Sequence, residues 1–248
     1  MDENLGLEEL FFELASESRL GILQELQKEN LKMQEIARRL DVTATEAYRQ
    51  LERLSKASLV QRQPDGTFSL SQYAKLVLQI SSSLSFISKH TKYFSTHDLT
   101  MFPTQFINRL DELSKAEFGS DTVENLNRGT QYYMEAKQYA WGIGEGTIPA
   151  FMTTVMNQKV QHGLEVKMII LKERVQTSVN TPPTPKNLEV RSLPRIPVLA
   201  VLTESYGGVC FSAIGGTLDY AGFFGDDPVF HDWLKDLFLH FWNKAERL

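Results

Sequence analysis

Cysteine is almost absent from this chain, with Cys210 the single example among 248 residues. One thiol excludes an internal disulfide framework, and with five histidines it gives no zinc-ligand spacing. No run of about 18 apolar residues occurs, so no transmembrane helix is expected. The N-terminus is acidic and lacks the basic-then-apolar order of a signal peptide. These absences predict a cytoplasmic protein with no metal, no cofactor and no membrane partner.

Positive charge is also scarce, because 26 basic residues face 31 acidic ones and the net charge is −5. The deficit is uneven along the chain. Residues 1–30 hold eight acids and two bases, whereas residues 31–70 hold seven bases and five acids. The second stretch therefore carries a weak positive field, which predicts modest and salt-sensitive affinity for nucleic acid.

Residues 32–70 have the pattern of a winged helix-turn-helix. Two short helical segments, Lys32–Leu40 and Glu46–Leu54, flank the turn Asp41–Thr45. Two short β segments, Leu59–Arg62 and Thr67–Leu70, flank a Pro-Asp-Gly turn and predict a wing. A module of this kind usually places its second helix in the major groove of DNA.

The second of these helices has two different faces. Ala47, Leu51 and Leu54 share one face and predict core positions. Thr43 and Glu46 have the spacing of a capping box, in which each side chain binds the backbone amide of the other. The helix is therefore predicted to begin beside Thr43 and to present its opposite face to a partner.

That opposite face supplies the predicted DNA contacts. Arg49 has the geometry to bind guanine through two parallel hydrogen bonds. Thr45 and Tyr48 join it in reading bases, while Arg53 and Arg62 are placed for phosphate. The full predicted set is Thr43, Ala44, Thr45, Tyr48, Arg49, Arg53 and Arg62. The alternative is a solvated face on a protein–protein module of the transcription machinery, which Glu52 and the acidic net charge favour.

The segment Leu14–Leu23 resembles the opening of the arsenical-repressor-like winged helix family. The metal-sensing members of that family use cysteines in this region. No cysteine precedes Cys210 here, so the resemblance implies the DNA-binding fold without the metal site.

From Ser71 the sequence predicts one long helix with an apolar residue at alternating spacings of four and three. This heptad stripe comprises Tyr73, Val77, Ile80, Leu84, Ile87, Thr91 and Phe94. One interpretation is a two-helix seam that pairs two subunits, so that a homodimer presents its recognition helices about 34 Å apart on double-stranded DNA. The other is an amphipathic helix packed on its own domain.

The second half of the chain alternates strands and helices. Tyr139–Ile143 and Val166–Leu171 predict strands, and the amphipathic segment between them predicts a parallel βαβ unit. Three further strands are predicted at Leu188–Arg191, Val198–Leu202 and Val209–Ser212, the last two joined by a tight hairpin at Gly207-Gly208. The expected fold class is therefore a two-domain α+β and α/β protein. Its predicted parts are residues 1–70 (winged helix), 71–97 (connecting helix) and 98–248 (α/β domain).

Helix ends in this half carry clear signals as well. Asp121 and Asp227 are predicted N-caps, and Pro228 occupies the first position of the final helix. Phe118 is predicted to close a series of short helices before Asp121.

Three segments resemble the effector domain of the archaeal methanogenesis-regulator (Fil-type) family: Tyr139–Trp141, His162–Lys167 and Asp227–Phe238. With residues 11–70, this resemblance extends over nearly the whole chain. It implies an archaeal transcription regulator whose second domain has a phospholipase-D-like, non-catalytic fold used for sensing or dimerisation. The arrangement is also similar to sugar-sensing TrmB-like regulators.

A catalytic role is not predicted. Phospholipase D chemistry needs a His-x-Lys-x-x-x-x-Asp motif, and His90 and Lys92 are followed by His97 where aspartate is required. His162 lacks the lysine altogether. A phosphodiesterase is therefore the least favoured of the alternatives.

A small-molecule effector would be expected beyond the carboxyl ends of the strands of an open sheet. Trp141 and Glu145 belong to one such strand end, and Tyr206 follows another. These three residues form the predicted ligand site for an effector of unknown chemistry.

Overall fold

The computed structural model describes residues 6–100, 102–145, 150–175 and 185–248, with the backbone alone for 150–153. The chain divides into two compact units, Met1–Ser82 and Ser83–Leu248. The predicted division at residues 70 and 97 stays a prediction, and the boundary between the units falls inside the segment predicted to connect them.

The first unit is a winged helix-turn-helix built on a small apolar core. Its elements are α1 (Leu7–Leu14), α2 (Glu17–Lys28), α3 (Met33–Arg39), α4 (Ala44–Lys56), β1 (Val60–Arg62), β2 (Phe68–Leu70) and α5 (Gln72–Lys89), which continues past Ser82. Ile22, Ile36, Leu51 and Leu54 are almost fully buried and pack together in the core. The predicted helix pair and wing are confirmed, since apolar residues at helical spacing converge on one centre.

The wing is a short antiparallel hairpin, with Val60 paired to Leu70. Its turn places Gly66 at φ 83°, a left-handed conformation that glycine adopts without steric cost. Leu31 and Phe68 exchange two backbone hydrogen bonds, of 3.2 and 2.8 Å. The base of the wing is therefore tied to the segment that precedes α3.

The long helix ends earlier than its apolar stripe predicts. α5 stops at Lys89, and His90 (φ −109°, ψ 33°) separates it from α6 (Thr91–Phe94). Tyr73, Ile80 and Leu84 are exposed, by 38%, 72% and 54%, whereas Ile87 and Phe94 pack on the core of the second unit. The prediction of one continuous helix is wrong, because the chain turns at His90 before α6 begins.

The second unit is an eight-stranded mixed sheet covered on both faces. Its remaining elements are α7 (Thr104–Ile107), β3 (Glu117–Gly119), α8 (Thr122–Glu135), β4 (Tyr139–Gly144), α9 (Ala150–Gln161), β5 (Glu165–Leu171), β6 (Leu188–Leu193), β7 (Val198–Thr203), β8 (Gly207–Phe211), β9 (Gly222–Gly225), α10 (Pro228–Lys244) and β10 (Glu246–Arg247). The strand order is β10-β6-β5-β4-β7-β8-β9-β3. β4, β5 and β6 are parallel, which confirms the predicted βαβ unit, and β7 runs antiparallel to β4.

Successive side chains of each strand point to opposite faces of this sheet. Trp141 and Phe211 join the core formed with α10, whose Trp233 is fully buried. Ala140 packs in the small core beside α9, and Cys210 packs with Tyr132 of α8. α10 therefore covers one face, and α8 and α9 cover the other.

Two sequence predictions in this unit are wrong. Gly207 and Gly208 lie inside β8 rather than in a hairpin, and a Cβ at Gly207 would meet the Leu234 side chain of α10 at 2.3 Å. Glycine there permits close packing of strand and helix, and the turn lies just before it. Phe118 lies in β3, paired with Phe223, instead of closing a helix.

Candidate nucleic-acid interface

The exposed face of α4 carries most of the residues predicted to contact DNA. Ala44 and Thr45 lie exposed in its first turn, and Tyr48 is 57% exposed. The side chain of Arg49 is 68% exposed. Ala47, Leu51 and Leu54 face the core, as their spacing predicts. Small side chains followed by tyrosine and arginine form a surface able to approach base edges closely.

The beginning of α4 forms only half of the predicted capping box. The Thr43 hydroxyl accepts a hydrogen bond of 3.1 Å from the Glu46 amide. The Glu46 carboxylate does not return to Thr43, because it accepts from Gln50 and pairs with Arg49 at 2.7 Å. These two donors, Gln50 first, lower the pKa of Glu46. The capping box was therefore predicted correctly for Thr43 and wrongly for Glu46.

Arg53 has a carboxylate partner that the sequence did not reveal. Its guanidinium lies 2.6 Å from Glu13 of α1, and its side chain remains 42% exposed. The Phe12 ring lies 5.2 Å from the same guanidinium. The hydrogen bond that Arg53 donates to Glu13 raises the pKa of Arg53. A phosphate group that binds Arg53 must therefore share it with Glu13.

Arg62 is exposed on β1, and no carboxylate of the described residues forms an ion pair with it. Arg38, exposed near the end of α3, shares this property across the same described ranges. Arg38 was not predicted as a contact, although its position just before the helix-helix turn was visible in the sequence. Both arginines are available to phosphate without breaking an internal pair.

A buried arginine connects the first helices to α4. Arg19 is 6% exposed and donates to the carbonyl oxygens of Glu13 (2.9 Å) and Phe12 (2.7 Å). It also pairs with the Glu13 carboxylate at 2.8 Å and donates to Gln50 Oε1 at 3.2 Å. A buried charge with this many partners fixes the positions of the groups around it. The residue was noticed in the sequence only as part of a family-like segment.

The three predicted ligand residues do not converge. Trp141 lies within β4 against α10, with its ring stacked on Phe238 at 5.0 Å and its indole donating to Glu165 at 2.9 Å. Glu145 follows the carboxyl end of β4, whereas Tyr206 follows β7. Because β7 is antiparallel to β4, these two ends lie on opposite edges of the sheet. The three residues therefore do not share one pocket, and their role in binding a ligand stays a prediction.

Tyr206 borders a polar groove of about 470 Å³ that also includes Lys159 and Glu204. Its ring stacks on Tyr132 at 5.0 Å. The Glu204 carboxylate accepts from the backbone amides of Lys137 (2.7 Å), Gln138 (3.3 Å) and Tyr139 (3.4 Å). Burial opposes the charge, but these amides outweigh it and lower the pKa of Glu204. This cluster of amides, which suits an anion, is therefore occupied by the protein's own carboxylate.

The histidines that invited a phosphodiesterase interpretation lie in separate settings. His97 is buried, with Nδ1 2.8 Å from the Tyr93 carbonyl and Nε2 3.3 Å from Asp219. His162 lies at the end of α9 and contacts the Gln158 carbonyl at 2.7 Å. Among the residues that the structure describes, no three metal-binding side chains cluster. In the same described part of the chain, no helix is both long and apolar enough to cross a bilayer.

Several solved structures resemble this chain. The chain is similar to TrmBL2, an archaeal chromatin protein whose structure shows a novel mode of DNA binding, with 13% identity, coverage of 97% of this chain and 99% of that one, and a TM-score of 0.45. It is also similar to Nuc from Salmonella typhimurium, a phospholipase D family member. The identity is 10%, the match covers 50% of this chain and 90% of Nuc, and the TM-score is 0.37. No curated protein matches the chain.

The resemblance to the methanogenesis-regulator family stays a prediction. A family model described as a helix-turn-helix domain matches residues 14–63, which span α2, α3, α4 and β1. The N-terminal part of this chain therefore contains a helix-turn-helix domain.

Proposed function

We propose that this chain is a homodimeric transcription regulator that binds specific sequences of double-stranded DNA. The observation that supports it best is the combination of a helix-turn-helix match with an exposed α4 face of small, aromatic and cationic residues. The wing beside it carries the unpaired Arg62. In this proposal α4 enters the major groove and the wing contacts the neighbouring backbone.

Arg49 reads guanine in this arrangement by exchanging one partner for another. Its present partner is Glu46, and the Arg49 side chain is 68% exposed. An exposed ion pair contributes about 0–1 kcal/mol. A bidentate arginine–guanine contact supplies about 1–3 kcal/mol of discrimination. The exchange is therefore favourable at guanine and not at bases that offer one acceptor.

The two proposed phosphate contacts differ in strength, because Arg53 must give up an internal partner to bind a phosphate. Among the described residues Arg62 has no ion-pair partner to give up, whereas Arg53 is held by a Glu13 carboxylate whose side chain is only 12% exposed. We assign the main backbone contact to Arg62 and a shared, weaker contact to Arg53. Thr43, Ala44, Thr45 and Tyr48 complete the proposed surface at the start of α4.

The exposed side of α5 supports the homodimer. Tyr73, Leu76 and Ile80 are exposed by 38%, 60% and 72% at spacings of three and four residues. Burying a large apolar side chain is worth about 1.5–3 kcal/mol, and a second copy offers the same face in a self-complementary arrangement. The second unit is proposed to pair subunits or to sense a small molecule, and no catalytic role is assigned to it.

Two arginine variants test the DNA contacts. A duplex enriched by the wild-type protein from a randomised pool serves as the specific probe, and the unselected pool as the nonspecific one. We expect Arg49→Ala to lower the ratio of specific to nonspecific affinity, and Arg62→Ala to weaken both affinities alike while reducing the salt dependence by about one phosphate contact. Wild-type protein that enriches no duplex and does not bind the unselected pool in dilute salt would refute the proposal.

A protein-binding role for the winged helix is the second candidate, and α1 is the observation that favours it. α1 has no buried residue and exposes Leu7 (65%), Phe11 (52%) and Phe12 (61%) beside Glu8 and Glu9. Binding to DNA weakens steeply as salt rises, because counterions are released from phosphates. Association through apolar side chains lacks that dependence, so a salt series separates the two functions.

A further inference from the structure

The glutamate at the third position of a helix behaves differently in α4 from its equivalents in α1 and α3. Glu9 returns to the Gly6 amide at 3.2 Å, and Glu35 returns to the Lys32 amide at 3.0 Å. In α4 the equivalent glutamate is Glu46, which binds side chains further along the helix instead. Another side chain of α4 must therefore compete with the Thr43 amide for the Glu46 carboxylate.

The competing group is Gln50, which lies on the buried side of α4 and is 7% exposed. Its amide oxygen accepts from Arg19 at 3.2 Å, which leaves the amide nitrogen facing Glu46 Oε1. With one oxygen held there, Glu46 Oε2 lies 2.7 Å from Arg49 Nη2. A continuous polar path thus runs from the buried Arg19 to the exposed Arg49.

We propose that Gln50 is a positioning residue for base recognition: it holds Glu46 away from the helix cap so that Glu46 pairs with Arg49 before DNA arrives. This inference rests on the proposed function. The pairing neutralises Arg49, so the guanidinium adds little to the general attraction of phosphates. Arg49 leaves Glu46 for the O6 and N7 acceptors of guanine, which lie in the major groove where α4 is proposed to enter. Gln50 therefore increases specificity at the expense of nonspecific affinity.

Without Gln50, Glu46 is free to return to the Thr43 amide, as Glu9 and Glu35 do in their helices. Arg49 then becomes an unpaired cation on the exposed face. An unpaired arginine contacts any phosphate within reach, so nonspecific binding rises while recognition of guanine no longer gains an advantage from the exchange.

The first test compares Gln50→Met and Glu46→Gln with the wild type on the enriched duplex and the unselected pool. Both variants should bind the pool more tightly, with a salt dependence steeper by about 0.9 in the log–log slope for one released cation. Their specificity ratio should fall, because the unselected pool gains a phosphate contact from Arg49 while the guanine contact is retained. Glu46→Gln changes a partly exposed side chain, so it keeps the test valid if Gln50→Met folds poorly.

Glu52→Gln is the matched control, because Glu52 lies on the same helix, is exposed and pairs with Lys56 at 3.6 Å. It removes the same charge without touching Arg49. If Glu52→Gln lowers the specificity ratio as much as Glu46→Gln does, the effect is general repulsion of DNA and the positioning role is wrong.

A double variant separates positioning from a purely structural effect. In an Arg49→Ala background, Gln50→Met should cause no further loss of specificity, because the group it positions is absent. A loss that adds to that of Arg49→Ala would overturn the inference while leaving DNA binding intact. Wild-type protein that binds no duplex would instead refute the proposed function, and the inference with it.

Discussion

Cys210 shows how strongly the sheet of the second unit shields a single residue. It lies in β8, is 5% exposed, and its thiol donates to the Tyr220 carbonyl at 3.3 Å. Burial, with a smaller contribution from the charge of Asp219, raises the pKa of the thiol to about 12. The nucleophilic thiolate is therefore scarce near neutral pH, and reagents have no path to it.

We predict that a thiol-specific reagent does not label native Cys210 near neutral pH and labels it fully in guanidinium chloride. Because folding raises the pKa of the Cys210 thiol above its usual value, the thiol stays protonated until the pH approaches the raised pKa. Absorbance of the released chromophore measures the reaction. Ser95→Cys, at an exposed position, is the control that should react at once. Rapid labelling of the native wild type would contradict the buried placement.

Side-chain roles on α4 were predictable only in part. The exposed positions of Tyr48 and Arg49 follow from helical periodicity, since the core face is visible in the sequence. The link from Arg19 to Gln50 joins residues 31 positions apart, and no local pattern encodes it. Which carboxylate holds Arg49 or Arg53 is decided by tertiary packing.

Individual helices of this protein begin at strong local signals. Asp227 caps α10 by accepting from the amides of Val229 (3.0 Å) and Phe230 (3.3 Å), and Pro228 follows it. α10 covers one face of the sheet with Trp233 and its neighbours, so the stability of the unit depends on it.

We predict that Asp227→Ala lowers the free energy of unfolding by about 1 kcal/mol, the usual cost of losing an N-cap. Denaturant unfolding followed by tryptophan fluorescence measures the change. Asp227→Asn should recover most of the loss, because asparagine caps nearly as well. An Asp227→Ala midpoint equal to that of the wild type would show that the cap contributes nothing.

Strands and caps were predictable because their signals are local: Asp121 and Asp227 cap helices, and the strands from Tyr139 to Val209 lie where predicted. The predictions failed at positions where tertiary packing, rather than local sequence, determines the secondary structure. Gly207 suggested a turn, but it lies inside β8, where the Leu234 side chain of α10 packs close to it. The heptad stripe suggested one helix, but the chain turns at His90.

At the scale of the whole molecule, the sequence predicted two domains and their fold class, and the structure has both. The mixed direction of the sheet was not predictable, because it depends on where β7 inserts. The unburied apolar residues of α5 remain the strongest indication of assembly. Leu76 and Ile80 lie one turn apart on its surface.

We predict that Ile80→Glu converts a dimer into a monomer, because a buried unpaired charge at the proposed seam is strongly unfavourable. Sedimentation velocity of the full chain measures the change. Gln79→Glu introduces the same charge at the neighbouring exposed position and should leave the dimer intact. A wild-type protein that sediments as a monomer would refute the homodimer.

The strand order of the second unit also sets the pace at which the chain reaches its native state. Among the described strands β3 pairs with β9 alone, with Glu117 opposite Phe224, so this edge cannot close until residues 222–225 have been synthesised. The winged helix needs only neighbours along the chain. Domains with distant pairings fold more slowly than domains with local ones, so the winged helix should be native on the ribosome while the sheet still awaits its last strands.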